Sequence, residues 1–246
     1  METIVWILIL SILGPIIGSL IGVFKKPSDR LLFHMLSFAA GIMIAISFLE
    51  LIPESIKLSS VLFSIIGVVL GFVLMYLVDR YIHPVPAPLC NGDVCDSKDG
   101  GINRTAKFLF IGIFLHNFPE GMAIATGVVT NLSLSFTIAL SIAINNIPEG
   151  ICTSAPYYFI TKNRLKSFLI SASTVIPLIL GFYFAVVLYS IIPIELVGLL
   201  IAFTAGVMIY ISVEELIPTS CKKITNHRTM FSFFCGIVVV MIIGLI

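Results

Sequence analysis

Two short segments near the middle of the chain carry polar side chains at matched spacing within apolar sequence. They read HNFPEG at 116–121 and NNIPEG at 145–150. At about 100° of rotation per residue, the first, second and fifth positions of each segment share an arc of about 100° on one helical face. The six polar residues are His116, Asn117, Glu120, Asn145, Asn146 and Glu149. Imidazole, amide and carboxylate groups all bind metals, so the pattern predicts a cation site.

The two carboxylates, Glu120 and Glu149, lie in sequence that supplies no side chain of opposite charge. Both fall near the middle of segments long enough to cross a bilayer, where an ionised carboxylate costs about 2.5–3.5 kcal/mol on insertion scales. No Lys or Arg lies at mid-depth in an apolar segment. We therefore expect a bound cation to balance their charge. One nitrogen with carboxylate and amide oxygens favours Zn²⁺, Fe²⁺ or Mn²⁺ over Cu(I), which prefers sulfur.

The rest of the chain has the composition of a membrane protein. Of 246 residues, 59% are hydrophobic and 11% are charged, and the mean hydropathy is +1.13. A soluble protein would need more polar surface than this. The lipid bilayer is the expected environment. Because the basic residues form no continuous stripe, no nucleic-acid partner is expected.

Eight apolar segments are long enough to cross a hydrocarbon core of about 30 Å, which takes roughly 17–25 residues. They fall near 4–23, 34–52, 61–79, 107–130, 132–158, 165–189, 194–216 and 230–246. The loops that follow segments one, three, five and seven lie on one side of the membrane, and that side holds 13 of the 14 basic residues. Only Lys57 lies on the other side. Since Lys and Arg accumulate in cytoplasmic loops, the side with 13 basic residues is cytoplasmic and both termini are predicted to be extracytoplasmic. The protein is predicted to lie in the plasma membrane. The loop 80–106 is predicted to be cytoplasmic and to serve as a polar linker, while its Cys and His residues leave a metal-sensing or acceptor role open.

An internal repeat relates the second and seventh segments. Residues 38–55 (FAAGIMIAISFLELIPES) and 203–220 (FTAGVMIYISVEELIPTS) share most of their residues at an offset of 165. On the predicted topology the two copies run in opposite directions, as in secondary transporters that bind substrate at mid-depth between inverted repeats. The chain is therefore predicted to be one all-α membrane domain, 1–246, of eight transmembrane helices in a 3+2+3 arrangement with inverted repeats.

At these motifs the sequence resembles the ZIP (Zrt/Irt-like) family of metal transporters, especially its compact bacterial branch. The resemblance covers essentially the whole chain and includes HNFPEG, NNIPEG and EELIP at 214–218. It implies secondary transport of divalent transition-metal ions toward the cytosol, with zinc as the first expectation and iron, manganese and cadmium as further candidates. It also implies that the six polar residues bind the ion and that Met43 contributes a thioether.

The sequence departs from the family pattern in the sixth segment. Many bacterial members have a Glu-Pro pair where this chain has Ile176-Pro177, so one metal site is expected here rather than two. Glu50 and Glu215 occupy equivalent positions in the repeat and are predicted to attract the ion at the outer and inner mouths. Ordinary interfacial charge at helix ends is the simpler explanation for both.

Two other functions remain open at this stage. An intramembrane metalloenzyme would place His116 and Glu120 at a catalytic zinc, although the chain has no HExxH motif. A metal sensor would bind the ion without transporting it. No phosphate-binding GxxxxGK[ST] loop is present, so we expect no cofactor beyond the transported ion. Whether the chain forms a homodimer is left open.

Overall fold

The computed structural model of the protein describes residues 2–24, 28–82, 117–128, 130–221 and 227–245. These residues form helices joined by short turns, without a strand among them, which confirms the all-α class for this part of the chain. His116 and residues 83–106 of the predicted linker lie outside the described ranges, as does the side chain of Glu215.

Each of the eight predicted spans contains helical residues, and the helical parts of each span share one label, numbered in chain order. They are α1 (Glu2–Phe24), α2 (Asp29–Ala45, extended by Ile46–Leu51 and Ile52–Leu58), α3 (Val61–Ile82), α4 (117–128), α5 (Leu132–Thr161), α6 (Arg164–Ala172 and Val175–Ile191), α7 (Ile194–Ile211, extended by Ser212–Leu216 and Ile217–Cys221) and α8 (His227–Ile243). Six of them, all but α4 and α8, contain stretches long and apolar enough to cross a membrane, and α8 has a shorter apolar stretch, Thr229–Ile243. The protein is therefore an integral membrane protein.

Both ends of the central helix α5 are capped, the first by a side chain and the last by the backbone. The side chain of Asn131 accepts a hydrogen bond from the backbone N–H of Ser133, which satisfies one of the free donors at the helix start. The helix ends at Lys162, whose φ of 53° is left-handed. With 30 residues, α5 is about 45 Å long at 1.5 Å per residue, enough to span the hydrocarbon core.

Glycines allow α1 to pack directly against the backbone of α5. A Cβ atom at Gly14 would overlap the carbonyl oxygen of Ala143, and one at Gly18 would overlap that of Ile147. Only a residue without a side chain permits this approach. Because the contacts advance together along both sequences, the two helices are parallel.

Three further pairs of helices pack in the same parallel manner. In each pair a glycine of one helix approaches a carbonyl oxygen of the other: Gly41 of α2 and Phe233 of α8, Gly71 of α3 and Phe203 of α7, and Gly121 of α4 and Leu178 of α6. A second contact in each pair sets the direction: Ser37 with Thr229, Asp79 with Tyr210, and Asn117 with Thr174. Helices distant in sequence therefore form these close contacts.

The repeat-bearing helices α2 and α7 run in opposite directions. The end of α2, Ile52–Leu58, packs against the first part of α7, where Gly198 meets Ser59. The beginning of α2 packs against the last part of α7, Ser212–Leu216 and Ile217–Cys221. Each helix also widens into a π-helical segment at the corresponding place, at Ile46–Leu51 and Ser212–Leu216.

Candidate metal-binding site

Glu120 of α4 is held by two amides of α5. The Nδ2 of Asn145 donates to one carboxylate oxygen at 2.9 Å, and the Nδ2 of Asn146 donates to the other at 2.7 Å. All three side chains are buried. The two motifs singled out in the sequence thus meet at one carboxylate. These two hydrogen bonds, one to each carboxyl oxygen, fix the orientation of Glu120.

Two amide oxygens at this site lack a hydrogen-bond partner in the described part of the chain. They are the Oδ1 atoms of Asn117 and Asn145, both buried. The Nδ2 of Asn117 donates to the carbonyl oxygen of Thr174 at 2.9 Å, and that of Asn145 donates to Glu120, so in each amide the nitrogen is engaged and the oxygen is not. Leaving a buried acceptor unsatisfied costs about 1–3 kcal/mol. A cation is a chemically suitable partner for both oxygens.

Asn146 differs from the other two asparagines because both ends of its amide are engaged. Its Oδ1 accepts from the Nδ2 of Asn145 at 2.9 Å, while its own Nδ2 donates to Glu120. The sequence predicts Asn146 as a metal ligand, and in the described structure its amide also bridges Glu120 and Asn145.

Glu149 lies one turn after Asn145 on α5, which continues through Pro148 without a break. The carbonyl oxygen of the next residue, Gly150, accepts hydrogen bonds from Ser154 at 2.7 Å, Thr153 at 3.1 Å and Ser171 at 3.2 Å. Ser171 also bonds Ser19 of α1 at 2.7 Å. These hydroxyl groups tie α1, α5 and α6 together next to the Pro-Glu-Gly motif. Sequence reasoning missed them, although Thr153 follows Glu149 at helical spacing.

The remaining predicted residues lie on α2 and α7. Met43 is fully buried on α2, which packs against α5. Glu50 is partly buried in the π-helical segment of α2, and its Oε1 lies beside Gly244, 3.2 Å from where a Cβ would stand. Glu215 lies in the π-helical segment of α7. Neither Glu50 nor Met43 has a side-chain hydrogen bond to the α4–α5 residues in the described contacts.

Helix α6 breaks just before Ile176-Pro177, where the sequence departs from the family pattern. The α-helix stops after Ala172 and resumes at Val175, and Thr174 in the break presents its carbonyl oxygen to Asn117. The side chain of Ile176 is 53% exposed, whereas Pro177 is buried. No group of three His, Cys, Asp or Glu side chains close enough to hold a metal occurs among the described residues. In this part of the chain, α6 contacts the site through the main-chain oxygen of Thr174, which accepts from Asn117.

Comparison with known proteins gives matches along nearly the whole chain. The sequence model of a family described as "ZIP Zinc transporter" matches residues 2–88 and 91–244. The chain is 36% identical over 238 residues to "Zinc transporter ZupT" of Escherichia coli O7:K1 (strain IAI39 / ExPEC), covering 93% of this chain and 92% of that protein. It is 34% identical over 226 residues to "Zinc transporter ZupT" of Enterobacter sp. (strain 638), covering 89% and 87% respectively.

Proposed function

Because the chain belongs to the ZIP zinc transporter family, we propose that it carries divalent transition-metal ions, zinc first, toward the cytosol through the site between α4 and α5. Membership of this family makes the protein a transporter and not an enzyme. The observation that supports the site is Glu120, which is held by two amides beside the unpartnered oxygens of Asn117 and Asn145.

The proposed architecture is a 3+2+3 bundle of inverted repeats, with both termini extracytoplasmic. The repeat equates α1 with α6, α2 with α7, α3 with α8, and α4 with α5. Under this equivalence the contact of α1 with α5 corresponds to that of α6 with α4, and the contact of α2 with α8 to that of α7 with α3. The opposite directions of α2 and α7 and their matching π-helical segments also support the inverted relationship.

The chemistry at the site follows from charge and ligand type. Glu120 and Glu149 together carry the two negative charges that balance one divalent ion, while the oxygens of Asn117 and Asn145 replace part of its water shell. His116 would add a nitrogen, which favours zinc over harder ions, and Met43 a thioether. The ion would then leave inward as the α4–α5 hairpin shifts against α2 and α7. We propose Glu50 and Glu215 as acidic groups at the outer and inner mouths.

Uptake of ions into sealed vesicles tests the proposed function. Vesicles that contain the purified protein should show saturable uptake of Zn²⁺, and competition with Fe²⁺, Mn²⁺ and Cd²⁺ should rank these ions. A potential of 100 mV, negative inside, is worth roughly 4.6 kcal/mol for a divalent ion, so uptake should rise as the interior becomes more negative. Protein-free vesicles are the control. Metal binding without uptake would instead support a sensor.

Introducing the missing carboxylate with Ile176→Glu should not create a second metal position. The side chain at 176 is 53% exposed and lies beyond the break in α6, while Asn117 is bound by the carbonyl oxygen of Thr174. We expect one zinc per chain in both the wild type and this variant, measured by elemental analysis after gel filtration. Two zinc ions per chain in the variant alone would show that α6 can complete a second position.

A further inference from the structure

A fully buried hydroxyl group on α5, that of Ser141, takes no part in the contacts described so far. Among the buried serines in the described ranges, Ser141 alone has no hydrogen-bond partner. It lies four residues before Asn145, so the two side chains occupy the same face of the helix. The Oδ1 of Asn145 is unpartnered as well. Two buried oxygens without partners thus follow one another along α5.

The other buried serines show what Ser141 lacks. A serine within a helix can donate to the carbonyl three or four residues earlier, which satisfies its hydroxyl locally. Buried serines that do so are Ser11, Ser19, Ser47, Ser154 and Ser212. The hydroxyl of Ser141 leaves this bond unused. Its orientation therefore presents a lone pair and a proton away from its own backbone.

The position of Ser141 on α5 indicates which side the hydroxyl faces. Ala143 and Gly150 mark the side that packs against α1, through Gly14 and Gly18. At about 100° per residue, Ser141 lies roughly 160–180° from both. α2 and α8 also pack against α5. Ser141 is thus on the side of α5 away from α1, between the level of Asn145 and the α4–α5 turn at Asn131.

We propose that the Oγ of Ser141 and the Oδ1 of Asn145 form an entry position for the transported divalent ion, with Ser141 about two turns before Glu149 on α5. This inference rests on the proposed function. Hydroxyl and amide oxygens are neutral and replace water ligands without adding charge, so the ion binds weakly and can move on. Transport requires binding that is favourable enough for entry and weak enough for release. On the proposed topology this position lies on the extracytoplasmic side of Glu120.

Zinc uptake by Ser141 variants in vesicles tests the entry position. Ser141→Ala should raise the apparent KM about three- to tenfold, the effect of one lost hydrogen-bonding ligand, with little change in maximal rate. Ser141→Thr retains the hydroxyl and should restore the KM. The matched control is Ser11→Ala, which removes an equally buried hydroxyl that bonds the carbonyl of Leu8. Its KM should stay at the wild-type value.

A change in ion preference would show that residue 141 contacts the ion, whereas a loss of packing alone would not change the preference. Ser141→Cys offers sulfur, which prefers the softer Cd²⁺, so Cd²⁺ uptake should increase several-fold relative to Zn²⁺. Ser11→Cys should leave this ratio unchanged. A wild-type KM in Ser141→Ala together with equal ratios in the two cysteine variants would overturn the entry position and leave the proposed function intact. Absence of uptake by the wild-type protein would overturn both.

Discussion

Replacing Glu120 with Gln should reduce zinc uptake about a hundredfold or more, because even groups that only support metal ligands contribute 10- to 100-fold. The substitution removes one negative charge and turns one acceptor oxygen into an amide donor. That donor faces the Nδ2 groups of Asn145 and Asn146, which now donate to the carboxylate. Uptake into vesicles at a fixed potential measures the loss, and size-exclusion chromatography in detergent measures whether the protein remains folded.

A second carboxylate variant provides the control. Glu195 lies in the first turn of α7 and is exposed, so Glu195→Gln removes the same charge at a distance from the α4–α5 contact. We expect wild-type uptake from this variant. Undiminished uptake by folded Glu120→Gln would rule out the assigned site, whatever the control does.

Gly18→Val should destabilise the bundle by about 3 kcal/mol, at the upper end of the usual cost of overpacking. The new side chain would overlap the carbonyl oxygen of Ile147 and crowd the Cα of Gly150, and neither backbone atom can rotate away. It would push α1 from α5 directly behind the Pro-Glu-Gly motif. At 2–4 °C per kcal/mol for a chain of this size, the Tm should fall by roughly 6–12 °C, measured as thermal loss of the monodisperse peak.

Gly244→Ala is the control, a smaller substitution at a glycine where a Cβ atom has space. The nearest atom to a Cβ there is the Oε1 of Glu50 at 3.2 Å, and the next lie 3.5 Å or more away. A carboxylate at the end of a flexible side chain can move by the few tenths of an ångström required. We expect the stability to stay within about 0.5 kcal/mol of the wild type. Equal losses in the two variants would mean that helix contacts at glycine do not set the stability.

The meeting of the two motifs could be predicted from the sequence, whereas their hydrogen-bond partners could not. Carboxylates and amides within a bilayer need polar partners, and the two motifs with matched spacing supply them for each other. Glu120 and Asn145 are therefore predicted to share one site. The bond from Asn117 to Thr174 depends on the break in α6. Pro177 indicates a break near Ser173, because proline cannot donate to the carbonyl four residues earlier, but the sequence does not show that Thr174 presents its carbonyl oxygen to Asn117.

Which helices pack against each other also could not be predicted from the sequence. Hydropathy predicts that a segment crosses the bilayer, but lipid solvates apolar surface as well as another helix does, so it does not select a partner. The selection lies in where glycines align, such as Gly14 and Gly18 along α1. This chain has 18 glycines, and many alignments are compatible with the sequence alone.

The pairing of α2 with α8 has a consequence for biosynthesis. The hydrogen bond between Ser37 and Thr229 joins residues 192 positions apart, so the ribosome must translate most of the chain before α2 can meet its partner. The helices that are translated first would insert into the bilayer separately, before their partners are made. Insertion and packing are then distinct stages. Contacts of such long range are slow to form. A nascent chain arrested before α8 would therefore leave the surface of α2 around Gly41 open to lipid or to quality-control proteases.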